Sequence, residues 1–192
     1  MNTKNIAEQT FTFKTSVMKG YEFDVNLLKS SIYGNCGDNF ECFSIFDIVF
    51  IHWAVVELTD YDNDCGRIVN PDILKSLPPA DLDKWNKDCF LMVSEIIYKL
   101  IKNRPFTYSN KRTALITALY YLGFHGYVCD KNNELEDMMA EIEEMDVDDE
   151  GNTTIIYHNL KTLFSAKNED CDVNIRELIN KWSNVLYNLR FR

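Results

Sequence analysis

Residues 81–126 read DLDKWNKDCFLMVSEIIYKLIKNRPFTYSNKRTALITALYYLGFHG, and this stretch decides the fold. In its first half Trp85, Cys89, Met92, Ile96 and Leu100 recur every three or four residues, which predicts one long helix over 81–103. Pro105 ends that helix, because a proline ring pushes the residue before it, here Arg104, out of the α region. The apolar period resumes at Ala114, Leu115, Ala118, Leu119 and Leu122. It predicts a second helix that opens at Asn110 or Lys111 and stops at Gly123 or Gly126. Two apolar helices joined by a short cationic loop form a helical hairpin, which is read as the core of the domain.

Upstream, Ser44 and Asp47 fit a capping box, and Phe46, Val49, Phe50, Trp53 and Val56 form a helical stripe that ends near Thr59. Residues 60–67 read as a polar loop, and Pro71 opens a short helix through Lys75 that Pro78–Pro79 break. Asp24 to Ser31 reads as a short helix and Gly34 to Asn39 as a loop. Thr10 to Thr15 alternates polar and apolar residues, as a strand does, in a hairpin turning near Lys19–Gly20. Downstream, Leu135, Met138, Met139, Ile142 and Met145 mark an amphipathic helix. A loop over Asp148–Asn152 then leads to a helix from Ile155 to Phe164. Asp172 caps a last helix carrying Ile175, Leu178, Ile179, Trp182, Leu186 and Leu189. The expected class is all-α, or mainly α with a small N-terminal β-hairpin or flap.

At 192 residues, with no low-complexity or Gly/Ser/Pro-rich linker, the chain suits a single domain over 1–192. Its 46% hydrophobic content argues against disorder. The longest apolar stretch, Ile45 to Leu58, is interrupted by Asp47 and His52 and is too short to cross a bilayer, so no membrane partner is expected. No secretory signal is legible at the N-terminus, and a cytoplasmic protein with reduced thiols is expected. None of Cys36, Cys42, Cys65, Cys89, Cys129 and Cys171 forms a CxxC pair, and Cys89 sits on an apolar stripe as a core residue.

The net charge of −10 is unevenly placed. Ten of the 30 acidic residues lie between Glu134 and Glu150, with no basic residue among them; the other 20 balance the 20 Lys and Arg. Ile96 to Cys129 holds no Asp or Glu, yet carries Lys99, Lys102, Arg104, Lys111 and Arg112. This cationic island reads either as a solvated basic face or as the field an anionic ligand needs beside a helix start. The acidity of the whole argues against nucleic acid as a partner.

The usual chemical motifs are absent. Asp146–Gly151 resembles the opening of a calcium loop, but the twelfth position is Tyr157, which supplies no carboxylate. Asp60, Asp62 and Asp64 have Gly66 one place late and read as a surface loop. His52, His125 and His158 pair with neither each other nor a cysteine, so no metal site is expected. His52, among apolar helical residues, reads as a core histidine.

What remains is Arg104–Pro105–Phe106–Thr107–Tyr108–Ser109–Asn110–Lys111–Arg112, a loop that feeds a helix start. The first amides of a helix have no acceptor within it. Lys111 and Arg112 fall in the first turn, where the macrodipole disfavours cations. That placement makes sense if an anion such as a phosphate group binds there. Asn110 is suited to cap the helix or to donate its amide to the same ligand.

The loop resembles the signature of the Fic/Doc family, His-x-Phe-x-Asp-(Gly/Ala)-Asn-(Gly/Lys)-Arg. Phe106, Asn110, Lys111 and Arg112 match, and Thr113–Ala114–Leu115 is similar to the Doc branch. The resemblance covers a core of about 44–165, leaving N-terminal and C-terminal extensions. It implies a helical bundle that moves AMP or phosphate from a nucleotide such as ATP, with magnesium, to a protein hydroxyl. It also implies a protein target or an antitoxin-like partner.

The departures from the signature are chemical. Arg104 stands where the family's general base, a histidine, belongs, and a guanidinium accepts no proton near neutral pH. Tyr108 stands at the magnesium-binding acid and Ser109 at the small pocket residue. Three readings follow. The first is a degenerate family member that binds a nucleotide or another phosphate-bearing ligand through Phe106, Ser109, Asn110, Lys111 and Arg112, without transfer chemistry. The second is an active AMP-transferase or phosphotransferase with another base, such as His52. The third is an interaction module of toxin–antitoxin or effector type, a class that includes effectors secreted without a signal peptide. Loss of a general base costs about two to four orders of magnitude in rate, which favours the first.

Overall fold

The computed structural model describes residues 45–59, 68–77, 88–146, 149–167 and 173–189. The strand at Thr10–Thr15, the helix at Asp24–Ser31, the loops at Gly34–Asn39 and 60–67, and the cap at Asp172 lie outside the described residues. The described chain is mainly helical. Its elements are α1 (Ile45–Thr59), α2 (Pro71–Lys75), α3 (Cys89–Asn103), α4 (Asn110–Phe124), β1 (Tyr127–Cys129), α5 (Asn132–Glu144), α6 (Asp149–Leu163), β2 (Phe164–Ala166), α7 (Ile175–Lys181) and α8 (Ser183–Asn188).

The hairpin of α3 and α4 is the centre of the molecule. Helix α6 packs on α3, while α1 and α7 pack on α4; α5 touches α3, α4 and α6, and α8 lies against α1 and α5. Crowded from several sides, α4 buries Asn110 and every residue from Arg112 to Gly123. The five-residue stripe expected for it was too narrow: Thr113, Ile116, Thr117, Tyr120 and Tyr121 are buried as well. Periodicity marks one face of a helix, and a helix enclosed on all sides has no exposed face to contrast with it.

Helix α3 begins at Cys89, later than the expected start at residue 81. Asp88 has extended backbone, and its carboxylate accepts the Phe90 amide at 3.0 Å. An aspartate offering that cap starts a helix rather than continuing one. The same carboxylate accepts the Tyr157 hydroxyl at 2.7 Å and the Lys161 ammonium at 2.9 Å, which ties the start of α3 to α6. Helix α1 buries Ile48, Ile51, His52 and Val55 beside Val49, whereas Phe50 and Trp53 of the expected stripe are only partly buried. Cys89 is half-buried, and burial together with the Asp88 charge pushes its thiol up to about 11.

Helix α6 opens at Asp149, inside the expected loop. Positions four to twelve of the calcium-loop lookalike are therefore helical. The expected C-terminal helix is two short ones, capped by Asn174 and broken at Trp182, whose indole is buried. Their Ile175, Ile179, Val185, Leu186 and Leu189 join the same core as α3 and α4. The sheet was missed altogether. Strands β1 and β2 pair antiparallel, with Tyr127 opposite Ala166 and Cys129 opposite Phe164. Gly126 makes the turn into β1 at φ 81°, a conformation glycine adopts without strain. No helix among the described residues is long and apolar enough to cross a membrane.

Candidate functional site

The loop between α3 and α4 is fixed at both ends by left-handed backbone. Arg104 closes α3 at φ 43° and Ser109 precedes α4 at φ 63°. For Arg104 the following proline disfavours the ordinary helical conformation. Each such residue costs on the order of 1 kcal/mol, so the surrounding contacts must hold the loop in shape.

Those contacts are local and specific. The Pro105 carbonyl accepts the amides of Val69 at 2.8 Å and Asn70 at 3.2 Å, and Ile68 forms a β-bridge with Phe106. The Phe106 ring is buried and stacks on the His52 imidazole, with centroids 3.7 Å apart and planes 6° from parallel. His52 Nδ1 in turn shares a 2.9 Å hydrogen bond with the Thr113 hydroxyl on α4. As expected from its apolar surroundings, His52 is a core residue, 0% exposed.

Asn110 uses its side chain inside the loop. Its Oδ1 accepts the Phe106 amide at 3.1 Å, and its Nδ2 donates to the Phe106 carbonyl at 2.7 Å. The amide group thus replaces a backbone partner across five residues and closes the turn. The Ser109 hydroxyl makes no cap bond to α4; it accepts Arg112 Nη2 at 2.5 Å. Arg112 is buried, and its Nη1 donates to the Thr59 hydroxyl at 3.1 Å, which anchors α4 to the end of α1. The first intrahelical bond of α4 runs from the Thr113 amide to the Ser109 carbonyl at 2.8 Å.

The cationic island meets the acidic segment. Lys111 Nζ lies 2.7 Å from Glu143 Oε2, and Arg104 Nη2 pairs with Glu143 Oε1. Lys102 donates to the carbonyls of Glu143 at 3.0 Å and Met145 at 2.5 Å, completing the end of α5 as a cation at a helix C-terminus should. Lys99 reaches the Ser76 carbonyl at 3.0 Å. Burial pushes the Glu143 carboxyl up, but the Lys111 bond and the Lys111 and Arg104 charges outweigh it and hold the group below its usual range. The basic residues that read as one solvated or ligand-facing patch are thus engaged with other elements.

The site residues fall into two groups. Phe106, Ser109, Asn110 and Arg112 hold the loop to α1 and α4. Arg104 and Lys111 come from opposite ends of the loop onto one carboxylate, and Tyr108 in the same loop is exposed. Sequence reasoning missed Glu143 and Thr59. Glu143 is one carboxylate among ten in its segment, and nothing in the spacing distinguishes it. His125, at the end of α4, buries an Nε2 that has no hydrogen-bond partner among the described residues, and burial holds its imidazole below the usual value. Among the described residues no group of three or more His, Cys, Asp or Glu is placed to hold a metal ion. Comparison of the chain with protein-family models, with curated proteins and with solved structures finds no match.

Proposed function

We propose that the chain is a Fic/Doc-like protein without the family's transfer chemistry, which binds a nucleotide or another phosphate-bearing ligand at the start of α4 in exchange for the Glu143 carboxylate. The observation that carries this reading is the convergence of Arg104 and of Lys111, in the first turn of α4, on a single anion. A phosphate group brings more negative charge and more acceptor oxygens to the same two cations than a carboxylate does. Arg104 cannot act as a base, and Tyr108 is a poor magnesium ligand, so binding without metal is the chemistry these residues suit. His52, stacked under Phe106 inside the core, is badly placed to serve as a replacement base. On this reading the chain works in a cytoplasm, its own or that of a cell it is delivered to.

Thermal unfolding in the presence of ATP, ADP, AMP and inorganic phosphate, with and without magnesium, tests it. The expected result is a metal-independent rise in Tm that Lys111→Ala and Arg104→Ala abolish. Arg112→Ala is a poor probe, because it removes a buried contact to Thr59 and Ser109. Absence of any response overturns the reading in favour of a protein-interaction module. Metal-dependent transfer of label from ATP to a protein hydroxyl overturns it in favour of an active transferase.

A further inference from the structure

We draw no further inference here: the strongest candidate, the acidic stripe of Glu134, Asp137, Glu141 and Glu144 along the exposed face of α5, is a row of carboxylates on one helix, and nothing in the structure shows what covers it.

Discussion

The ammonium of Lys111, in the first turn of α4, lies 2.7 Å from the carboxylate of Glu143, in the last turn of α5. A cation at a helix start is unfavourable by itself, and an acid at a helix end is too. Paired, each cancels the other's misfit with its own macrodipole, and Arg104 adds a second positive charge to the same carboxylate.

Glu143→Gln removes the anion and leaves Lys111 and Arg104 with a neutral amide. Stability is expected to fall by about 1–2 kcal/mol, the scale of a charged hydrogen bond at a partly exposed site. The Tm rise caused by inorganic phosphate is expected to grow in this variant, because the ligand no longer competes with a carboxylate. Urea unfolding and a phosphate titration read both effects. A phosphate response that shrinks or stays level contradicts the exchange.

Asn110→Ala deletes both bonds to the Phe106 backbone and leaves a buried amide and carbonyl without these partners. Each such group costs about 1–3 kcal/mol, so a loss of about 2–6 kcal/mol is expected by urea unfolding. A loss under about 0.5 kcal/mol, with the fold intact, shows that the loop does not depend on this side chain.

Phe106→Ala empties the space under His52. A buried phenylalanine truncated to alanine costs about 3–5 kcal/mol. Phe106→Leu keeps most of the volume but loses the stacking, and a smaller loss is expected. If Phe106→Leu unfolds like the unsubstituted protein in guanidinium titrations, the stacked pair is not what holds the loop on α1.

Acid is expected to weaken the fold in two stages. Burial pushes the Asp88 carboxyl up, but the Lys161, Tyr157 and Phe90 hydrogen bonds outweigh it, so Asp88, like Glu143, titrates below its ordinary value. The unfolded chain takes up these protons at higher pH than the folded one. Their stabilisation is therefore complete above the ordinary values of 3.8 and 4.5, and is lost as pH falls through the lower folded values. His125 acts earlier. Below its ordinary value of 6.5 the unfolded chain accepts a proton that the buried imidazole resists. Urea midpoints are expected to fall as pH drops below the ordinary histidine value of 6.5, and again below the ordinary carboxylate values of 4.5 and 3.8. His125→Gln removes the upper step and keeps the lower one. An upper step that persists in His125→Gln assigns it to another group.

The hairpin of α3 and α4, its break at Pro105 and the amphipathic α5 were legible in the amino-acid order. The apolar period, the proline ring and the helix stop at Gly126 act within a few residues of themselves. Even the missed start of α3 was written locally, in Asp88. The sheet was not legible, because three-residue strands carry too little alternation to stand out, and Tyr127–Cys129 finds its partner only where α6 ends. The loop 104–112 was recognisable as unusual for the same local reason: cations crowd a helix start there.

The sequence by itself determined that this protein is mainly helical and that a cation-rich turn joins its two central helices. Only the tertiary structure decided what those cations face. Lys111 is 32 residues from Glu143, and Arg112 is 53 residues from Thr59. Ion pairs and buried hydrogen bonds act over a few ångströms in space, whatever the separation along the chain. Which of ten carboxylates reaches the loop depends on how α5 packs against α3 and α4, and on no feature of spacing or composition.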